Sequence, residues 1–175
     1  MIDKPAENEY ASFYARYVAL VPEADILGAL EQQTQAIGRL AGSVAAEKET
    51  YRYAPGKWSV REVLGHLIDA ERVFGYRAFC FSRGEQAPLP SFDENQYVSA
   101  AGADLIPLAE LGDEFAAVRA SNLAFLRRLS ALEAVRLGTA SGKPVSVRAL
   151  AYIMAGHPRH HLAILRERYG MGEPQ

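Results

Sequence analysis

A chain of 175 residues with 49% hydrophobic and 23% charged residues and a mean hydropathy of −0.10 has the composition of one ordinary soluble domain able to bury a full core. Its formal charge of −2 and pI near 6.1, with Lys and Arg scattered along the chain, give no electrostatic footprint for nucleic acid. No segment approaches the roughly 20 apolar residues of a membrane helix, Met1-Ile2-Asp3-Lys4-Pro5 opens no signal peptide, and Cys80 as the sole cysteine excludes an internal disulfide or a cysteine-based zinc site, so a cytoplasmic, membrane-free domain spanning residues 1–175 is expected.

An aromatic segment, Glu9 to Val18, comes first and is stopped by Pro22; its Tyr and Phe residues are expected to pack across the fold. A helix is predicted from about Glu23 to Leu40, with Ile26, Leu27, Leu30, Ile37 and Leu40 on one side and Gly42-Ser43 ending it. Polar residues from Ala45 to Tyr53 lead to the turn Ala54-Pro55-Gly56. Ser59 with Glu62 forms a capping box, the clearest helix start in the chain, and that second helix is predicted to reach Gly84. From Gly84 to about Gly102, Pro88, Pro90 and Ser91-Phe92-Asp93-Glu94-Asn95 argue for an irregular loop. A third helix is expected over roughly Pro107 to Ala134, a turn over Gly138 to Pro144, and a fourth helix from near Ser146 to Tyr169, stopped by Gly170. Strand signals are nearly absent. The fold class is therefore all-α, a four-helix bundle with an aromatic N-terminal segment.

Three histidines fall on apolar stripes rather than on solvent faces. His66 lies among Val60, Val63, Leu64, Leu67 and Ala70; His157 and His161 lie among Leu150, Ile153, Met154, Ile164 and Leu165. Residues four apart point the same way on a helix, so His157 and His161 can share one ion, with His66 the available third ligand from another helix. His160 competes, because a spacing of three also shares a face. One buried imidazole is usually a satisfied core residue, but three without partners are costly and one divalent ion satisfies them all.

Pro55-Gly56-Lys57-Trp58-Ser59-Val60-Arg61-Glu62-Val63-Leu64-Gly65-His66-Leu67 and His157-Pro158-Arg159-His160-His161, separated by about 90 residues, resemble the two motifs of the DinB-like (DNA-damage-inducible, YfiT-like) metal-binding four-helix bundles. The resemblance covers nearly the whole chain. It implies a divalent metal, nickel or zinc, held by His66, His157 and His161 with water as the remaining ligand, and a homodimer. It also implies small-molecule chemistry: metal-dependent hydrolysis of an unknown substrate, or thiol-dependent transfer with a low-molecular-weight thiol such as bacillithiol or mycothiol. Pro158 departs from the pattern, since a proline inside a helix removes an N–H and crowds the preceding turn; a kink beside His157 is expected.

Three neutral imidazoles leave an open position, and water bound there is acidified toward pKa ~7; the same position accepts a thiolate. No residue stands out as general base in the manner of a His-Glu-x-x-His helix. Asp69, one turn beyond His66, and Asp93 or Glu94 in the loop are the catalytic candidates. Asp69 is alternatively an acceptor for a ligand histidine N–H or a surface partner of Arg72 or Arg61; Asp93, Glu94 and Asn95 are alternatively a polar loop capped by its own side chains. Trp58 reads as a packing anchor before a substrate platform, Cys80 as a small packing residue, and Val73, Phe74, Phe79 and Phe81 as core or dimer interface. A non-catalytic, dimeric stress-related protein that keeps its metal for stability is the reading from a different class.

Overall fold

A computed structural model describes residues 2–171; Met1 and residues 172–175, part of the domain read from sequence, lie outside them. Its frame is four long helices: α2 (Ile26–Ser43), α3 (Val60–Ser82), α5 (Leu108–Leu126) and α7 (Val147–Tyr169), with α3 packed against both α5 and α7, and α2 against α5 and α7. No helix among the described residues is long and apolar enough to cross a membrane.

Helix starts follow side-chain chemistry. Asp25 caps α2 by accepting from Gly28 N, Ser59 and Glu62 close the capping box of α3, and Ser146 accepts from Ala149 N at the head of α7. Helix α7 ends as expected at Gly170, whose φ of 66° is the left-handed conformation that glycine takes without cost. The N-terminal segment forms two 3₁₀ turns and a short helix α1 (Ala15–Ala19) lying on α7. That contact requires a glycine: a Cβ on Gly156 would stand 2.0 Å from the carbonyl oxygen of Tyr17. Glu9, 8% exposed, fastens the same segment by accepting from Ser146 Oγ at 2.7 Å and pairing with Arg148.

Three expectations are corrected. The stretch from Gly84 to Gly102 is not irregular throughout: α4 (Glu94–Ala101) forms because Asp93 accepts from the backbone N–H groups of Asn95 and Gln96, at 2.9 and 3.0 Å, once the two prolines are passed. The predicted third helix is two: α5 ends at Leu126, and Ser130 with Glu133 builds a capping box for a separate turn, α6 (Ala131–Ala134). The turn at Gly138–Pro144 is the centre of an antiparallel hairpin, β1 (Leu137–Ala140) and β2 (Lys143–Ser146), with Ser141 and Gly142 at φ 53° and 72°. Leu89 adds one parallel bridge to Ala140, tying the proline-rich strap to the hairpin.

Helix α7 runs on through Pro158. The missing N–H would orphan the Met154 carbonyl one turn earlier. Arg119 supplies a substitute, donating from Nη2 to that carbonyl at 3.1 Å, and Gln33 donates to the next one, Ala155, at 2.8 Å. Arg119 is fully buried and forms a fork with Glu71, Nε to Oε1 at 2.7 Å and Nη2 to Oε2 at 2.9 Å, while Nη1 reaches Gln33 and the Leu30 carbonyl. One buried cation thus joins α2, α3, α5 and α7 beneath the proline.

Candidate metal centre

His66 on α3 and His157 on α7 are each 5% exposed, and His161 is half-buried one turn beyond His157. Because α3 and α7 are neighbours, the ring nitrogens converge: Nε2 of His157 lies 3.0 Å from Nε2 of His66 and 3.1 Å from Nε2 of His161, and all three ligand atoms fall within 4.8 Å of one another. Nitrogens bound at the usual Zn–N length of about 2.0–2.1 Å around a tetrahedral ion stand about 3.3 Å apart; the two pairs that share His157 are near that spacing, and the pair His66–His161, within 4.8 Å, would close toward it around an ion. A neutral imidazole nitrogen is either donor or acceptor, so His157 Nε2 cannot satisfy two facing nitrogens through one proton. An ion between them does.

Burial also sets the protonation that a metal needs. It lowers His66 to about 4 and, with help from the charges of His66, His160 and Arg16, His161 to about 3. His157 is pushed well below the usual range, first by burial and then by its histidine neighbours. All three are therefore neutral at physiological pH, the state in which an imidazole can hold a metal. His160 does not join them: its ring packs 5.6 Å from that of Tyr17 and 5.2 Å from His161, half-buried at the cavity wall.

Aromatic rings hold the ligands in place. Trp58 lies 4.8 Å from His66 and is stacked 6.3 Å from His161, while Tyr17 and Phe74 meet His157 edge-on at 5.3 and 5.8 Å. The three histidines floor a cavity of about 440 Å³ walled by Trp58, Tyr14, Tyr17 and Phe74, with Arg16, Glu94, Ser141, Lys143 and His160 among its lining. Small-molecule sites fall in the range of about 300–1,000 Å³. Trp58 is therefore a wall of the site as well as an anchor.

The carboxylates separate. Asp69 does not line the cavity; it is 4.0 Å from Arg72, which bonds Glu114 on α5 at 2.6 Å, and burial raises its carboxyl above the usual range. Asp93 is exposed and spends its side chain capping α4. Glu94, the next residue, is the carboxylate that lines the cavity with the histidines. The elements that sequence reasoning missed are Arg16, brought in by α1, and the hairpin residues Ser141 and Lys143; a turn signal marked the hairpin but not the direction of its tip.

A helical bundle whose facing helices bring three neutral imidazoles together at a cavity defines a class, the four-helix bundles with a candidate metal site between their helices. The chain belongs to the DinB superfamily, whose family model matches residues 29–165. Among solved structures it is similar to YfiT from Bacillus subtilis, described as a probable metal-dependent hydrolase with an unusual four-helix bundle topology, at a TM-score of 0.70 and 17% identity over 97% of this chain and 94% of that one. At that identity the likeness is one of fold. No curated protein matches the chain.

Proposed function

We propose that the protein is a metal-dependent hydrolase of a small molecule, with His66, His157 and His161 as the ligands. The clustering of three imidazole nitrogens within 4.8 Å of one another at the cavity carries this reading. A divalent ion held there supplies Lewis acidity and lowers the pKa of a bound water to about 7. The chain supplies the rest. His66, His157 and His161 present neutral nitrogens from two rigid helices; Trp58 and Phe74 keep bulk water off one side of the site; Glu94 is the carboxylate placed to take up a proton at the cavity wall. Nickel and zinc both suit three imidazoles, and the homodimer and cytoplasmic location implied at the level of sequence belong to the same proposal.

Turnover tests it. Purified protein loaded with zinc or nickel is assayed on a panel of esters, amides and activated electrophiles, with and without low-molecular-weight thiols. Hydrolysis that needs metal and is lost with His66→Ala, His157→Ala or His161→Ala supports the reading; turnover only when a thiol is added assigns the transferase chemistry instead. No metal-dependent turnover on any substrate contradicts both.

A further inference from the structure

Arginines in this fold are commonly matched to carboxylates: Arg61 to Glu49, Arg119 to Glu71, Arg148 to Glu9, Arg159 to Glu23. Arg16 is not. Its guanidinium carbon lies 4.3 Å from the ring centroid of Phe13 and 4.8 Å from that of Tyr17, and Nη2 donates to Tyr17 Oη at 2.9 Å. These contacts orient the guanidinium at the cavity wall but leave its charge without an acidic partner among the described residues. Lys143, on β2 of the hairpin, also lines the cavity, is exposed and likewise forms no ion pair among the described residues. The hairpin that carries Lys143 is held by a third cation: Arg77, 2% exposed and in no salt bridge among the described residues, donates to Ser141 Oγ at 3.1 Å and to the Pro90 carbonyl at 2.7 Å. Ser141 pays for that position with a left-handed φ of 53°. Against these charges the cavity lining offers one carboxylate, Glu94.

An acidic protein thus places two cations without a salt bridge among the described residues, Arg16 and Lys143, against one carboxylate, Glu94, at one pocket, and a net positive charge at a cleft favours anions. We propose that the cavity takes a small organic anion, its carboxylate or phosphate held by Arg16 and Lys143 at the rim and its apolar portion against Trp58 and Phe74. This deepens the hydrolase reading by naming the substrate class, yet the rim acts independently of the metal. A guanidinium matches either oxyanion through two parallel N–H donors, and the lysine adds a point charge.

Trp58 is the sole tryptophan and lines the cavity, so its fluorescence reports occupancy. Hexanoate, hexyl phosphate and the neutral isostere hexanamide are titrated into the full chain, first metal-free and then zinc-loaded, for the parent and for Arg16→Gln, Lys143→Gln and the double variant, with far-UV circular dichroism confirming the fold. The metal-free parent is expected to bind at least one of the anions about tenfold or more tighter than the amide. Which anion wins distinguishes carboxylate from phosphate, and the double variant is expected to lose the preference. Equal affinity for the amide and both anions overturns the proposal. So does an anion preference that survives in the double variant, or one that appears only with zinc bound, because it then belongs to the ion. Failure of the chain to take up zinc bears on the hydrolase reading alone, since the metal-free titration stands without it.

Discussion

Arg119→Met removes the only cation from the buried junction of the four long helices while keeping a long side chain in its place. Glu71, 1% exposed, then loses its cationic partner and keeps the hydrogen bond donated by Asn122 Nδ2 at 2.8 Å; breaking a buried pair in this way costs ~3–5 kcal/mol. The Met154 carbonyl also loses the donor that replaced the absent Pro158 N–H, and an orphaned buried acceptor costs ~1–3 kcal/mol. The two losses overlap, giving an expected destabilisation of about 4 kcal/mol or more, a large part of the ~5–15 kcal/mol that holds a domain together. Urea unfolding of the metal-free protein, followed by far-UV circular dichroism, measures it. Two companion variants separate the causes. Glu71→Leu with Arg119→Met strands no charge and recovers the part of the loss due to the broken pair, while the Met154 carbonyl and Asn122 Nδ2 still lack the partners they had. Pro158→Ala, which supplies the missing N–H, recovers about 1 kcal/mol in the Arg119→Met background and less in the parent, where the carbonyl already has a donor. A loss below about 1 kcal/mol for Arg119→Met, or the same effect of Pro158→Ala in both backgrounds, refutes the reasoning.

Gly156→Ala drives a Cβ into the Tyr17 carbonyl and is expected to cost ~1–3 kcal/mol while loosening α1, seen as faster proteolysis near Tyr17; unchanged cleavage counts against the close contact. Glu9 is held at about 2, first by its hydrogen bond to Arg148. A folded pKa below the unfolded value gives stability that is complete above about 4.5 and lost as pH falls toward 2, so the stability gap between the parent and Glu9→Gln should narrow across that window and stay constant above it. Glu94→Gln is expected to lower kcat with little change in zinc affinity, whereas Asp69→Asn should leave both unaltered; a metal or rate defect in Asp69→Asn returns that residue to the site. Asp93→Ala removes the cap of α4 and costs ~1 kcal/mol, measurable by chemical unfolding.

What the sequence made legible was governed by local periodicity. The capping box at Ser59 and the stripe around His66 fixed α3, and the four-residue spacing of His157 and His161 put both on one face, so two of the three members of the histidine cluster needed only the geometry of a helix. The third needed α3 beside α7, which the bundle provides. Arg119 and Glu71 were passed over although each interrupts an apolar stripe, Phe115-Arg119-Leu123 and Leu67-Glu71-Phe74: a charge is read as surface unless its partner is known, and these partners lie 48 residues apart. At Pro158 the helix continues, and the hydrogen bond that the proline removes is replaced by a donor from a different helix, which the sequence alone does not show. Helix α4 and the hairpin were missed because proline and glycine near by marked turns without showing how little chain a cap or a two-residue turn needs. For the same reason the choice of Glu94 over Asp93, and the place of Lys143 at the cavity, came only in three dimensions.

The central claim is that His66, His157 and His161 hold one divalent ion. Zinc and nickel titrations by calorimetry, with elemental analysis of the dialysed protein, measure it directly across the parent and the four single His→Ala variants. One ion per chain is predicted, with affinity falling by about 100-fold or more on loss of His66, His157 or His161 and unchanged on loss of His160. A parent that retains no ion, or a His160→Ala variant as impaired as the other three, contradicts the account.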